Sequence, residues 1–86
     1  MKEFTYTIKD QLGIHARPAG MLVKEAKKFS SVITIRAQNG KSSDVSKILN
    51  LMAMGIKHGD VITVQANGKD EEAAASAMKT LVTNNL

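Results

Sequence analysis

The chain has 86 residues, of which 43% are hydrophobic and 23% are charged, a balance typical of a globular domain rather than a disordered chain. It contains no cysteine, which excludes disulfides, thiolate catalysis and zinc–thiolate sites. Twelve Lys and Arg against eight Asp and Glu leave a net charge of +4, so we consider anions, acidic protein surfaces and nucleic acid as partners.

The first third of the chain predicts a strand followed by a helix. Phe4–Ile8 alternates with a period of two, as expected of a strand. After the loop Leu12–His15, the period becomes helical from Ala16 to about Lys28, and Pro18 lies in the first turn, where a missing N–H costs nothing. The residues that share the apolar stripe of this helix are Ala19, Leu22, Val23, Ala26 and Phe29.

The middle of the chain predicts a hairpin and a short helix. Ser31–Ala37 is β-branched and alternating, and the turn at 39–40 leads into a short return strand at Lys41–Ser43. Asp44–Met54 then predicts a helix that Gly55 ends. Its apolar residues are too many for one stripe, so we expect some of them to be exposed.

The last third predicts a strand at Val61–Ala66 and a final helix with Asp70 as its cap. Glu71 and Glu72 suit the positive end of the helix dipole. The order β-α-β-β-α-β-α favours an α+β fold, a mostly antiparallel open sheet with all helices on one face. We expect residues 1–86 to form a single domain.

One segment, His15-Ala16-Arg17-Pro18, is hard to explain by packing. It places an imidazole at the start of a helix, where unpaired N–H groups and the helix dipole attract anions. Arg17 adds a guanidinium that can bind phosphate oxygens in bidentate fashion. A neutral imidazole at such a helix end is suited to transient phosphorylation on nitrogen.

His15 could also have a purely structural role, because a lone His near a helix start is most often a cap or a loop residue. The run Gly13–Ala19 favours the functional one, since the Gly, the Arg and the first-turn Pro each have a role in it. By contrast, His58 has no second ligand nearby and is expected to be solvated surface.

Other classes of site have little support in the sequence. No metal-ligand spacing, glycine-rich phosphate loop or Ser/His/Asp arrangement is visible. No apolar run approaches the ~18 residues of a membrane span, and the first residues lack the apolar stretch of a signal peptide. We therefore expect a soluble, cytoplasmic protein with no cofactor, no metal and no membrane insertion.

The sequence resembles the HPr-type phosphocarrier proteins of the bacterial phosphoenolpyruvate:sugar phosphotransferase system. Two segments carry the resemblance, Gly13-Ile14-His15-Ala16-Arg17-Pro18-Ala19 and the stretch Ser46–Ile56, which is similar to the second helix of the family. The resemblance extends over essentially the whole chain. It implies an open-faced sandwich, a four-stranded antiparallel sheet under three helices.

The resemblance also implies a function. His15 would accept a phosphoryl group on Nδ1 from phospho-Enzyme I and pass it to the IIA domains of sugar permeases. Arg17 would hold the phosphoryl group, with the backbone amides of Ala16 and Arg17 completing its cradle. Such a protein is an intermediate of phosphoryl transfer, not an enzyme, since it has no turnover alone.

A partner interface follows from the same resemblance. The positions that match the contact patch of the family are Gly20, Ile48, Leu49 and Met52. Lys24 and Lys27 would surround this patch and steer acidic partners toward it.

One position departs from the family pattern. Many Gram-positive members carry a regulatory serine at the start of the second helix, phosphorylated by an HPr kinase. That position is Lys47 here, and Ser46 lies one residue earlier. Either the kinase uses Ser46, or this chain is not regulated in that way.

Three further interpretations stay open at this point. The chain could be a regulatory or binding module that uses the anion site without passing phosphate on, or a carrier in a nitrogen-related branch. A small RNA-binding domain fits the charge, but with one Tyr and two Phe the chain offers few stacking platforms, so we expect no nucleic-acid partner. We expect a monomer.

Overall fold

The computed structural model describes residues 1–86, which form seven elements in the order β-α-β-β-α-β-α. They are β1 (Lys2–Thr7), α1 (Ala16–Ala26), β2 (Val32–Ala37), β3 (Ser42–Asp44), α2 (Ile48–Ala53), β4 (Val61–Asn67) and α3 (Glu71–Asn85). The four strands form one sheet in the order β1-β4-β2-β3, with every neighbouring pair antiparallel. The predicted α+β architecture is confirmed.

The core lies between one face of this sheet and the helices. On the two central strands, alternate side chains are buried, whereas those between them, such as Thr34 and Gln65, are partly exposed. The buried strand residues are Ile33, Ile35, Ile62, Val64 and Ala66, and the helices contribute Ala19, Leu22, Ala26, Leu51, Ala74, Met78 and Val82. The stripe predicted for the first helix thus faces the core, with Ala19, Leu22 and Ala26 buried and Val23 and Phe29 packed against it. No helix in the structure combines the length and apolar character needed to cross a membrane.

Several element boundaries differ from the prediction by one or two residues. The first strand covers Lys2–Thr7 rather than Phe4–Ile8, and α1 ends at Ala26 instead of Lys28. Beyond that point the chain forms tighter three-residue turns, in which Phe29 donates its N–H to the carbonyl of Ala26 at 3.2 Å.

The largest difference lies before α2, which begins at Ile48 and not at Asp44. Asp44 is the last residue of β3, where the return strand runs one residue beyond its predicted end. Its Oδ1 accepts the N–H of Ser46 at 2.8 Å and the hydroxyl of Ser46 at 2.7 Å. Because short polar side chains compete in this way with helical hydrogen bonds, residues 45–47 form a turn.

Asp70 occupies the N-cap position of α3 as predicted, but its carboxylate does not cap that helix. It accepts the backbone N–H groups of Ser30 and Ser31, each at 2.9 Å, and the hydroxyl of Ser31. The loop after α1 is thereby tied to the start of α3. The Ser31 hydroxyl, followed by the Ser30 N–H, holds the pKa of Asp70 below its usual value.

The loop before α1 packs against the loop after α2 through Gly13. This glycine has φ of 66°, and a Cβ placed on it would lie 2.2 Å from the Ile56 carbonyl oxygen, so no other residue fits. The next residue, Ile14, donates its N–H to the same oxygen at 3.1 Å. The position of the segment that leads into α1 is therefore fixed.

Candidate functional site

His15 is the N-cap residue of α1, but its side chain is not used for capping. Its backbone is extended, with φ of −110° and ψ of −173°, and its carbonyl accepts the N–H of Ala19 at 3.0 Å. The imidazole makes no hydrogen bond to the helix, and 36% of the side chain is exposed. The ring is therefore held at the helix end by the backbone and stays accessible to a reaction partner.

The first N–H groups of α1 have no acceptor in the protein. Neither Ala16 nor Arg17 donates its backbone N–H to any protein group, and Pro18 has none to donate. The first turn of α1 also contains no acidic residue. Two free donors at the positive end of a helix are the geometry that binds an anion.

Beside His15 lies an open recess of about 270 Å³, lined mostly by polar residues. Its wall is made by Asp10, His15, Arg17, Pro18, Met21, Asn84 and Asn85. Arg17 is exposed and pairs with no carboxylate, so its guanidinium is free for a ligand. This volume is close to the lower end of the ~300–1,000 Å³ of pockets for organic ligands. The polar lining, with the Arg17 guanidinium beside the free N–H groups, suits a small anion.

Three polar residues of this recess were not predicted from the sequence. Asp10 lies with Oδ2 3.9 Å from Nε2 of His15, and Asn84 and Asn85 come from the end of α3. The turn-forming run from Asp10 to Gly13 is a local signal for the first of these. No local signal exists for the two asparagines, because only the fold brings α3 to the start of α1.

The residues predicted to meet partners form one exposed area where α1 and α2 adjoin. Leu49 is 79% exposed, and Ile48 and Met52 are each 38% exposed, whereas Leu51 and Met54 of the same helical segment are buried. A Cβ at Gly20 would lie 4.0 Å from Cδ1 of Ile48, so α1 and α2 are in close proximity there. We call Gly20, Ile48, Leu49 and Met52 the apolar patch.

The two lysines predicted to surround the apolar patch are available to a partner. Lys24 and Lys27 are exposed and neither forms an ion pair, whereas the neighbouring Lys28 pairs with Glu25 at 3.1 Å. His58 is exposed, as expected of a surface residue. No group of three or more His, Cys, Asp or Glu side chains is arranged to hold a metal ion.

Comparison with known proteins assigns this arrangement to a family. The family described as "PTS HPr component phosphorylation site" matches residues 2–84. The chain belongs to the HPr family. It is thus an HPr phosphocarrier of the phosphotransferase system, as the resemblance predicted.

Relatives support this assignment over nearly the whole of this chain. The phosphocarrier protein HPr of Mycoplasma genitalium is 47% identical over 99% of this chain and 97% of its own length. That of Mycoplasma capricolum is 52% identical over 92% of this chain and 88% of its own.

Solved HPr structures have the same fold. A histidine-containing phosphocarrier protein of Mycoplasma superposes with a TM-score of 0.92 at 47% identity, covering 96% of this chain and 93% of that one. An HPr dimer from Thermoanaerobacter tengcongensis superposes with a TM-score of 0.76 at 39% identity, covering 98% of this chain and 95% of that one. Since a dimer occurs among the relatives, the monomeric state stays a prediction.

Proposed function

We propose that this phosphocarrier accepts a phosphoryl group on Nδ1 of His15 from phospho-Enzyme I and passes it to IIA domains of sugar permeases. The observation that carries the proposal is the accessible imidazole next to the free N–H groups of Ala16 and Arg17, at the rim of a polar recess. Residues 1–86 form a single carrier domain in this proposal.

In the first transfer, the Nδ1 lone pair of His15 attacks the phosphorus atom of the donor phosphohistidine. The P–N bond of the donor breaks, its electron pair returns to the donor ring, and a new P–N bond forms on His15. The free N–H groups of Ala16 and Arg17 and the Arg17 guanidinium stabilise the charge of the phosphoryl oxygens. A nitrogen of a IIA histidine then attacks the same phosphorus atom, the P–N bond to His15 breaks and its electron pair returns to the His15 ring. The carrier is regenerated but turns nothing over alone.

The docking surface in this proposal is the apolar patch with Lys24 and Lys27 beside it. Burial of the exposed Leu49 side chain supplies hydrophobic stabilisation of the complex. The unpaired lysines attract an acidic rim on Enzyme I or on a IIA domain and raise the rate of encounter. Both partners would use this surface in turn, because both must reach His15.

Phosphorylation of Ser46 by an HPr kinase is not part of the proposed function. The Ser46 hydroxyl donates a hydrogen bond to the Asp44 carboxylate, and this bond, followed by the Ser46 N–H, holds the pKa of Asp44 below its usual value. A phosphate on Ser46 would replace that bond with repulsion between two anions. With HPr kinase and ATP, we expect no mass gain for the wild type and a gain for Lys47→Ser; wild-type incorporation that Ser46→Ala abolishes would contradict this.

The test of the carrier function is incubation with phosphoenolpyruvate and Enzyme I, followed by intact mass before and after mild acid. The wild type should gain one phosphoryl group that acid removes, and His15→Ala should gain none. His58→Ala is the matched control, because His58 is the other histidine of the chain and is exposed. Labelling of His15→Ala, or no labelling of a folded wild type, would contradict the proposal, and the second result would favour a regulatory or binding module.

A further inference from the structure

One large apolar side chain is exposed in the segment that leads into the site and lies outside the apolar patch. Leu12 is 71% exposed, compared with 38% for Ile48 and for Met52. A single exposed leucine is ordinary on a protein surface and by itself indicates nothing. Leu12, however, lies three residues before His15, in a turn that the structure holds in place.

The turn around Leu12 is fixed by Asp10. Its Oδ1 accepts the N–H of Leu12 at 2.8 Å, and its carbonyl accepts the N–H of Gly13 at 3.0 Å. Its own N–H donates to the carbonyl of Leu86 at 2.7 Å, and Gly13 packs on the Ile56 carbonyl. The backbone beneath Leu12 is therefore ordered before any partner binds, and a pre-ordered contact loses less entropy on binding than a mobile one.

The chemistry at His15 determines what covers Leu12, and this step rests on the proposed function. Transfer between two imidazoles requires the reacting atoms to approach within about 3–3.5 Å in line. A residue three positions away in the chain lies within ~11 Å of His15, since consecutive Cα atoms are 3.8 Å apart. A docking face of about 800 Å² centred on His15 has a radius of roughly 16 Å, which is wide enough to reach an exposed side chain at this distance.

We propose that Leu12 is a docking contact for the histidine-bearing protein that exchanges the phosphoryl group with His15, in addition to the apolar patch. The partner surface that it meets is apolar and lies beside the reactive histidine of the partner. The contact is made equally before and during transfer, so it contributes to binding and not to the chemical step.

The experiment compares Leu12→Ser with Val32→Ser, which removes a 56% exposed apolar side chain from β2, away from the His15 segment. Each variant is phosphorylated in two ways. Phosphoramidate donates to His15 directly: its P–N bond breaks, a P–N bond to the ring forms, and ammonia leaves. Phospho-Enzyme I donates through a protein surface.

With phosphoramidate, the wild type and both variants should react at the same rate. With phospho-Enzyme I, the concentration of Leu12→Ser that gives the half-maximal rate should be about five- to twentyfold higher than that of the wild type. The maximal rate should be unchanged, as expected for a lost leucine contact. Val32→Ser should match the wild type, and Leu12→Met should recover most of the loss. Equal rates for Leu12→Ser and the wild type, or equal losses in the two serine variants, would overturn the proposal.

A different result of the same experiment would contradict the proposed carrier function. If phosphoramidate does not label wild-type His15, the histidine is not a phosphoryl acceptor. If it labels His15 but Enzyme I discriminates against neither serine variant, the carrier function stands and the role of Leu12 is wrong.

Discussion

Two helices of this protein begin in opposite electrostatic surroundings. At the start of α1, the N–H groups of Ala16 and Arg17 have no acceptor and the first turn contains no acidic residue. The first turn of α3 contains Glu71 and Glu72. Glu71 pairs with the amino group of Met1 at 2.7 Å and accepts the N–H of Gly68 at 3.2 Å. The first of these contacts, followed by the second, holds the pKa of Glu71 below its usual value.

Both helices have a positive N-terminal end, so the two starts differ in whether the chain itself places acidic side chains there. The chain supplies its own anions at α3, where the dipole and the tied loop contribute to stability. The first turn of α1 has no such anion, because the Asp10 carboxylate beside His15 belongs to the preceding loop, and its first N–H groups stay free. This costs some stability and, in the proposed function, leaves a place for the phosphoryl group. Functional sites commonly carry such a local cost.

Removing the one side-chain cation of the α1 site should have the largest effect. Arg17→Ala should slow phosphoryl transfer from phospho-Enzyme I about 10–100-fold, because a charge-assisted contact to the phosphoryl group is lost. The thermal midpoint should be unchanged, since Arg17 is exposed and unpaired. Quench-flow labelling checks the rate; transfer at the wild-type rate would leave the backbone amides as the sole cradle.

An acidic residue in the first turn of α1, as in α3, should have the next largest effect on the transfer rate. Ala16→Glu adds a carboxylate to the first turn at an exposed position. We expect a gain in the free energy of unfolding of about 0.3–1 kcal/mol from the helix dipole. Transfer should become about tenfold slower, because the carboxylate competes with the phosphoryl group. Urea unfolding and the labelling rate are measured together, with Ala16→Gln as the uncharged control; equal rates for the two variants would exclude the electrostatic explanation.

Charge reversal farther along α1 should have a smaller effect that depends on salt. Lys24→Glu with Lys27→Glu should lower the association rate with Enzyme I several-fold at low ionic strength, and the difference should shrink as salt screens the charges. Lys69→Glu with Lys79→Glu changes the net charge equally at exposed positions near α3 and serves as the control. If both pairs act equally, net charge and not the α1 surface steers the encounter.

At α3 the expected effect concerns stability. The hydrogen bonds from Ser31 and Ser30 lower the pKa of Asp70, so they stabilise the fold above the unfolded-state pKa of about 3.9 and are lost as pH falls through the lower folded-state value. Asp70→Asn should therefore have a thermal midpoint several degrees below that of the wild type at pH 7, and the difference should shrink below about pH 3. Thermal melts across this range check it, with Glu72→Gln as control; a constant difference at all pH values would mean that the Asp70 charge is irrelevant.

The sequence predicted best what depends on neighbours in the chain. The placement of His15 at the start of a helix with a first-turn proline follows from adjacent residues, and so does the turn at Gly55, where φ is 67°. The buried alternation of the strands also follows from a local pattern. The sheet order β1-β4-β2-β3 was not predicted, because it depends on pairings between distant segments.

Two of the failures have a common physical cause, which is hydrogen bonding by short acidic side chains. Val45 continues the apolar pattern of α2, yet the Asp44 carboxylate binds Ser46 and delays the helix to Ile48. The carboxylate of Asp70 stands at a cap position but bonds to a loop 39 residues away in the chain. Composition and periodicity do not indicate which group a carboxylate will accept a hydrogen bond from.

The close approach of Gly13 to Ile56 has a consequence for altering partner preference by selection. In a library randomised from Asp10 to Pro18, only glycine should survive at position 13, because a methyl group there would overlap the Ile56 oxygen. Leu12, exposed on the adjacent position, should accept almost any residue without loss of folding. Substitutions at position 12 can therefore change the surface beside this site while Gly13 keeps the backbone that leads to His15 in the same place.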